Sequence, residues 1–185
     1  MLYTKDIVKE NKKILRETSK YLALPLSKKD IKTLKMMMEY LVNSQDAELA
    51  EKYQLRGGVG IAAPQVNQSK QMLCIYLAPS ENKDKIQYTL INPEIVEHSD
   101  EIIYLTGGEG CLSVDRVTSG LTPRYKWIKV RAFFYDIVNE QYEEKEMIFS
   151  DYLSIVLQHE IDHLHGIMFT DKLFKDLPQA EPISY

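Results

Sequence analysis

Apolar residues in the first third of the chain recur at intervals of three, four and seven positions, which is the period of amphipathic helices. The apolar positions of a first predicted helix are Ile7, Ile14 and Leu15. Those of a second are Ile31, Leu34, Met38, Leu41 and Val42. Ser27, three residues before Asp30, fits the N-cap of the second helix. The pattern therefore predicts helical structure from Met1 to about Tyr53, with a kink where the polar run 43–46 interrupts the second stripe.

From Gly57 onward, short apolar runs separated by turn residues replace the helical pattern, and such runs predict β-strands. The predicted strands cover residues 59–63, 72–77, 88–91, 102–105, 127–135 and 142–149. In the fifth of these, apolar and basic positions alternate, as in a strand with one buried face. Residues 136–141 form a predicted hairpin turn, and we interpret the glutamates of the following strand as a solvated outer face.

A last apolar segment predicts a helix from about Asp151 to His165, and Gly166 stands where a helix ends in a left-handed residue. Strands lie between helices at both ends of the chain, and strands and helices do not alternate. These features predict an α+β fold, with mixed or antiparallel sheets around this last helix and helices at the N-terminus. No linker or repeat divides the chain, so we expect residues 1–185 to form one domain. The pattern after Asp171 fits a strand and a loose tail equally well.

The composition narrows the class of protein. The 185 residues include 23 basic and 27 acidic side chains, a net charge of -4, which argues against a protein that binds nucleic acid through its phosphates. No run approaches the ~18 consecutive apolar residues that span a bilayer. Two cysteines do not form a disulfide framework, and the charged N-terminus does not resemble a secretory signal. We therefore expect a cytoplasmic protein with reduced thiols.

An HExxH motif lies in the last predicted helix, at His159-Glu160-Ile161-Asp162-His163. On a helix the two imidazoles lie about 40° apart on adjacent turns, so both can reach one metal ion, and Glu160 flanks the same face. The simpler alternative is a surface helix whose polar groups face water. The strongly apolar neighbours argue against it, because a buried cluster without a cation would leave polar groups unpaired at roughly 1–3 kcal/mol each.

A catalytic metal site needs a third protein ligand and an open position for water. The HExxHxxGxxH extension of one metallopeptidase class requires a histidine at position 169, where this chain has Phe169, so that class is excluded. Glu181 lies close to the end of the chain and is a poorly anchored candidate. His98 and His165 are expected to be exposed. Cys111 is the remaining candidate.

Two glycine-rich segments carry the other candidate residues. Cys111 lies in Gly107–Ser113, whose polar surroundings favour a ligand over a structural thiol, whereas Cys74 lies in an apolar run and fits a structural thiol. The segment Gly57–Gln65 lacks the spacing of a phosphate-binding loop. We interpret it as a bare strand along which another extended chain can form main-chain hydrogen bonds, with the amide of Gln65 at its end.

Three segments occur in a fixed order along the chain: Gly58–Gln65 (GVGIAAPQ), Glu109–Ser113 (EGCLS) and Gln158–His163 (QHEIDH). Together they resemble the three motifs of the bacterial peptide deformylase family, and three motifs are far more specific than one. Insertions around residues 43–56 and 80–85, with Gly110 after Glu109, resemble the longer class found in Gram-positive bacteria. The chain departs from the family at residues 11–13, where many members have a proline.

The resemblance implies a hydrolase that removes the formyl group from the N-terminal formyl-methionine of new proteins and releases formate. It implies that Cys111, His159 and His163 hold one divalent metal ion. Glu160 is then the general base, and later the general acid, when water activated at the metal attacks the formyl carbon.

The resemblance also assigns residues around the reacting group. The metal, the backbone N–H of Leu112 and the side-chain amide of Gln65 are the implied donors to the developing oxyanion. The implied substrate-binding residues are Val59, Gly60, Glu109, Gly110, Ile155 and Val156, the last two in an apolar pocket for the methionine side chain. Arg124 is implied to pair with Glu109 behind the site, its alternative being a surface charge.

The implied cofactor is Fe(II) in the cell, with Zn, Ni or Co able to occupy the site; the softness of a thiolate and two imidazoles suits iron or zinc. The implied partners are N-formyl-methionyl nascent polypeptides and the ribosome near its exit tunnel, without nucleic-acid readout or membrane contact, and the expected state is a monomer. Two alternatives remain: a zinc endopeptidase of the HExxH type and a non-catalytic metal-binding protein.

Overall fold

The structure of the protein is a computed structural model that describes residues 1–81 and 83–184. The helices are α1 (Lys28–Ser44), α2 (Ala47–Tyr53) and α3 (Asp151–Leu164). The strands are β1 (Gly60–Ala62), β2 (Met72–Leu77), β3 (Ile86–His98), β4 (Ile102–Leu105), β5 (Arg124–Tyr125), β6 (Trp127–Asp136), β7 (Gln141–Ser150) and β8 (Glu181–Ile183). Short 3-10 turns cover Thr4–Asp6, Lys13–Arg16, Ala63–Val66 and Phe169–Lys172.

Two sheets are arranged around α3. The larger sheet is antiparallel with strand order β1-β2-β3-β6-β7, so that β1 and β7 are its edges. The smaller sheet has the order β5-β4-β8, with β4 and β8 parallel. Helix α3 contacts strands of both sheets, among them β1, β2, β5, β6 and β7. The predicted α+β fold with mixed and antiparallel sheets around the last helix is therefore confirmed, and the C-terminal segment that the pattern left open forms β8.

Strand β2 lies between two apolar clusters, one on each face of the larger sheet. Leu73 and Ile75 pack in a cluster with residues of α3, whereas Met72 and Cys74 pack in a cluster with residues of α1. A strand that is buried on both faces needs apolar side chains at every position. This explains why the run 72–77 is continuously apolar rather than alternating.

Helix α1 begins at the predicted cap. The hydroxyl of Ser27 accepts a hydrogen bond from Asp30 N at 3.2 Å. The predicted stripe residues Leu34, Met38 and Leu41 are buried. The polar run 43–46 ends the helix instead of kinking it, because Asp46 caps a separate helix α2 by accepting from Leu49 N at 2.9 Å.

The first predicted helix is wrong. The segment before α1 contains two 3-10 turns and no α-helix. Its backbone donates to other segments, Val8 N to Gln65 O at 2.8 Å and Glu10 N to Ser113 O at 2.9 Å, so these groups are not available for helical bonds. Ile7 and Leu15 are nevertheless buried. Because short isolated helices are marginal in water, such contacts decide the conformation of a segment of this length.

The other predicted strands and the predicted hairpin are present, although the strand predicted at 88–91 extends over Ile86–His98 and the strand predicted at 59–63 is shortened to Gly60–Ala62. In β6, Ile128 and Val130 are buried and Arg131 is exposed, and a turn between β6 and β7 closes the predicted hairpin. Strand β7 exposes its glutamates to solvent and buries Phe149. Within the 80–85 segment, Asn82 lies outside the described residues. Among the described residues, no helix combines the length and apolar character needed to cross a bilayer.

The end of α3 supplies a test of the fold. Gly166 has φ +74°, and a Cβ there would lie 2.6 Å from the carbonyl carbon of Arg16, which is backbone and cannot rotate away. We predict that Gly166→Ala lowers the free energy of unfolding by about 2–4 kcal/mol, from left-handed strain and overpacking together. Urea unfolding followed by circular dichroism measures this. Gly107→Ala is the matched control, because nothing lies within 4 Å of its Cβ position; equal stability of the two variants would contradict the prediction.

Candidate metal centre

Helix α3 and the segment around Cys111 bring the three predicted ligands together. The ligand atoms of Cys111, His159 and His163 lie within 4.8 Å of one another, and all three residues are buried. The Cys111 Sγ lies 3.3 Å from His163 Nε2. One thiol and two imidazoles at this spacing are a donor set that suits zinc or iron. The residues present therefore fit a single divalent cation.

The thiol of Cys111 sits among hydrogen-bond donors. Ser113 N points at Sγ from 3.4 Å and Gln65 Nε2 from 3.5 Å. Both donors therefore approach the sulfur atom that would bind the metal. The orientation of the Gln65 amide follows from its other end, because Gln65 Oε1 accepts from Ala62 N at 2.8 Å.

His159 is held by a carboxylate. Its Nδ1 donates to Glu109 Oε2 at 2.7 Å, which leaves Nε2 available to bind a metal ion. Arg124 binds the same carboxylate with two hydrogen bonds, from Nε at 2.7 Å and Nη2 at 2.9 Å. The third branch of the guanidinium donates from Nη1 to Asp162 Oδ2 at 2.6 Å. Arg124 is therefore buried and paired, and its alternative reading as a surface charge is wrong.

The charges of this network shift the titration of its members. Burial alone would raise the pKa of Glu109, but the hydrogen bonds from Arg124 and His159 outweigh it and lower that pKa to about 2. Burial would lower the pKa of His159, but its contacts with Cys111 and Glu109 raise it well above the usual value. Burial lowers the pKa of His163, and the charges of His159 and Arg124 lower it further.

Glu160 is buried beside the ligands and faces strand β1. A Cβ built on Gly60 would lie 2.5 Å from Glu160 Oε1, so the carboxylate occupies the space that a side chain at position 60 would fill. Glu160 Oε2 has no hydrogen-bond partner within residues 1–81 and 83–184. Burial raises the pKa of Glu160 to about 7.

A cleft of about 560 Å³ opens next to this centre. Its lining includes every predicted substrate-binding residue, namely Val59, Gly60, Glu109, Gly110, Ile155 and Val156, together with Gln65, Cys111, Leu112, His159 and Glu160. Strand β1 is an edge strand, so one side of its backbone faces away from β2. The carboxylate of Glu109 is engaged by Arg124 and His159, which leaves its backbone for contacts within the cleft.

The other cysteine and histidines lie apart from the centre. Cys74 is buried in β2, and burial raises the pKa of its thiol to about 12, as suits a structural residue. His98 and His165 are exposed, as predicted. Glu181 pairs with Lys126 at 2.7 Å on the smaller sheet and does not join the ligand cluster.

Pattern reasoning missed Gln45, which follows the end of α1. Its Nε2 donates to Gly58 O at 2.9 Å and to Tyr76 O at 2.7 Å, and its Oε1 accepts from Ala78 N. Gln45 thereby fixes the backbone next to β1 at one wall of the cleft. Its only sequence signal is a polar residue that interrupts an apolar stripe.

Comparisons with known proteins give the same motifs a family context. A family model described as Polypeptide deformylase matches residues 4–178. The chain is 49% identical to a peptide deformylase of Halalkalibacterium halodurans, covering 94% of this chain and 92% of that protein. It is 45% identical to peptide deformylase 2 of Bacillus cereus, covering 98% and 96%.

Solved structures show the same similarity in three dimensions. A probable peptide deformylase from Synechococcus phage S-SSM7 superimposes with a TM-score of 0.70 at 30% identity, over 90% of this chain and 98% of that chain. A Met-Ala-Ser bound class I type b peptide deformylase from Acinetobacter baumannii gives 0.68 at 28% identity, over 90% and 96%.

Removal of the thiol tests the ligand set. Loss of a residue that only hydrogen-bonds to a metal ligand typically weakens metal binding by roughly 10–100-fold. We predict that Cys111→Ser weakens zinc binding by more than this, because the substitution removes a ligand itself. Competition of zinc-loaded protein with a chromogenic chelator measures the dissociation constant. Cys74→Ser is the matched control and retains wild-type zinc affinity. Unchanged affinity of Cys111→Ser would exclude Cys111 as a ligand.

Proposed function

The chain belongs to the polypeptide deformylase family, and we propose that it uses one divalent cation, held by Cys111, His159 and His163, to release the N-terminal formyl group of new polypeptides as formate. The observation that carries the proposal is the juxtaposition of a buried thiol–imidazole cluster with the Glu160 carboxylate in one cleft. The family itself supports a metal-dependent hydrolase that acts on formylated nascent proteins.

The donor set bears on the identity of the cation. A thiolate with two imidazoles favours iron or zinc over hard cations such as magnesium. We propose Fe(II) in the cell, with zinc, nickel or cobalt able to occupy the same ligands. When bound, the cation supplies a Lewis acid that makes water more acidic and polarises a carbonyl oxygen.

Glu160 moves the proton. Its carboxylate lines the cleft next to His159, and Oε2 is not engaged by any side chain or backbone group of the described residues. We assign it the role of general base that takes the proton of the attacking water. The same carboxyl group then protonates the leaving amine, since the proton must end on that nitrogen.

We assign two donors to the negative charge that develops on the formyl oxygen. The Gln65 amide is held with its NH2 group towards Cys111, because its oxygen is occupied by Ala62 N. Leu112, adjacent to Cys111, lines the cleft, and we assign its backbone N–H as the second donor. Fixed donors of this kind are each worth roughly 2.7–4 kcal/mol in the transition state.

The cleft fits an extended peptide. The free edge of β1 at Val59–Gly60 can pair with a peptide backbone, opposite the backbone of Glu109–Gly110. Ile155 and Val156 of α3 supply an apolar wall for the methionine side chain. The Acinetobacter baumannii relative with bound Met-Ala-Ser supports a methionine-first peptide as the ligand.

The family also bears on the cellular setting. We propose that the whole chain, residues 1–185, acts as one catalytic domain, as a monomer, on nascent chains in the cytoplasm near the ribosomal exit tunnel. A zinc endopeptidase gains no support from the family match. Phe169 stacks on His159 with ring centroids 5.7 Å apart where one such class requires a third histidine, and Glu181, the candidate ligand of another class, pairs with Lys126 instead.

Loss of the base tests the chemistry. We predict that Glu160→Gln, which keeps the shape of the side chain, retains the metal but lowers formate release by roughly 10²–10⁴-fold. The assay follows formate from a formyl-Met-Ala-Ser peptide under anaerobic conditions, with metal content measured on the same sample. Glu143→Gln, on the exposed strand β7, is the control with wild-type turnover. Full turnover by Glu160→Gln would refute the assigned role.

Gly60 tests the position of the base. A methyl group at this residue would meet the Glu160 carboxylate, whereas a Cβ on Gly57 would find only Ser44 O, at an ordinary 3.7 Å. We predict that Gly60→Ala lowers kcat at least about tenfold, as expected for a displaced catalytic group, while zinc affinity stays near that of the wild type. Gly57→Ala is the control. A wild-type kcat for Gly60→Ala would show that the carboxylate does not need this space.

A further inference from the structure

A chain of charged side chains extends from His159 away from the cleft. The Glu109 carboxylate accepts hydrogen bonds from His159 Nδ1 and from Nε and Nη2 of Arg124. The remaining nitrogen of the guanidinium, Nη1, donates to Asp162 at 2.6 Å. Asp162 in turn accepts from Lys172 Nζ at 3.0 Å on Oδ1 and 2.9 Å on Oδ2. No role is assigned to Asp162 or Lys172 by the ligand set or by the proton transfers above.

The charged side chains linked to His159 differ in burial, and the most buried of them depend on one another for charge compensation. The side chains of Arg124 and Glu109 are 2% and 3% exposed, Asp162 is 15% exposed and Lys172 is 37% exposed. The four groups carry two negative and two positive charges, so the set is neutral as a whole. Loss of the Asp162 charge would leave the buried guanidinium with an uncompensated branch and an extra positive charge near a cation site.

The two ligand imidazoles are not equally supported. His159 has a carboxylate on Nδ1, whereas His163 Nδ1 has no hydrogen-bond partner among residues 1–81 and 83–184. The orientation of a ligating histidine is set by the bond on its other nitrogen. The orientation of His159 therefore rests on Glu109, and that of Glu109 on Arg124.

Resting on the metal centre proposed above, the geometry points to Asp162, held by Lys172, as a positioning residue for the metal ligand His159, acting through Arg124 and Glu109. Helix α3 then supplies both the ligand and, three residues later, the carboxylate that holds the third branch of the arginine. Lys172, from the turn after the helix, is the outer end of the same brace.

Zinc affinity tests the inference, because a merely structural role would not move it. In competition of zinc-loaded protein with a chromogenic chelator, we expect Asp162→Asn to raise the zinc dissociation constant by about 10–100-fold. The visible spectrum of the cobalt-substituted variant should change as well, since it reports ligand geometry. Asp151→Asn, the same substitution at an exposed position of α3, is the matched control and stays within about twofold of the wild type.

Lys172→Met is the milder variant and keeps the test open if Asp162→Asn fails to fold. Lys172 is partly exposed, and its ion pair in the described part of the chain is with Asp162. We therefore expect a smaller rise in the zinc dissociation constant, against none for the exposed control Lys175→Met. In a Glu109→Gln background, Asp162→Asn should raise the zinc dissociation constant by no more than a further factor of about two, because the carboxylate that connects Arg124 to His159 is already lost.

The outcomes separate the inference from the proposed function. A wild-type protein that binds no zinc or releases no formate would overturn the function itself. If the wild type is functional and Asp162→Asn leaves the zinc affinity unchanged, only the inference is overturned. If Asp162→Asn does not fold, an unchanged zinc affinity of folded Lys172→Met has the same meaning. The inference would also be overturned if Asp162→Asn changed the zinc dissociation constant equally in the wild-type and Glu109→Gln backgrounds, because Asp162 would then not act through the Glu109 carboxylate.

Discussion

The burial of polar side chains along α3 is the constraint on which the surrounding structure depends. Most of the helix is buried, and its buried positions include Gln158, His159, Glu160 and His163. Each buried polar group without a partner costs about 1–3 kcal/mol, so the neighbouring segments must supply partners. The side-chain amide of Gln158 binds both backbone groups of Tyr125, at 3.0 and 2.9 Å, and so fixes β5 against the helix. Arg124, one residue earlier, is thereby brought to the carboxylate that holds His159.

The same constraint distinguishes the groups that are held from those that are left available. His159 is hydrogen-bonded to Glu109, which is in turn held by Arg124. The oxygen of the Gln65 amide accepts a hydrogen bond from Ala62 N. Glu160 Oε2, in contrast, is buried without a partner in the described part of the chain. Buried polar atoms without partners are rare in native proteins and concentrate at functional sites. The Glu160 carboxylate thus keeps an oxygen for the proposed contact with water, while His159 and the Gln65 amide are fixed in place.

Residue types and helical spacing were enough to predict the candidate ligands, because they restrict what can bind a metal. His159 and His163 could be placed on one helical face from their spacing alone, and Cys111 remained after the other donors were eliminated. The contacts of Arg124 and Gln45 could not be derived in this way, since their partners lie 13 to 38 residues away and meet them only in the folded chain. The N-terminal segment failed for a related reason: its apolar period suggested a helix, but hydrogen bonds to Gln65 and Ser113 decided its conformation.

Strand β1 borders both the proposed peptide site and the Glu160 carboxylate. Pattern reasoning interpreted the glycine-rich segment Gly57–Gln65 as a bare strand along which another extended chain can lie, and the structure shows that the Glu160 carboxylate also occupies the space of a side chain at Gly60. The two explanations do not compete, because the hydrogen-bonding edge of a strand and its side-chain faces point in perpendicular directions. The edge of β1 that is free of β2 remains available to a peptide backbone, while the face towards α3 admits the base. A side chain at Gly60 would leave that edge intact and still meet the Glu160 carboxylate, so the proposed peptide and the proposed base use different sides of the same residue.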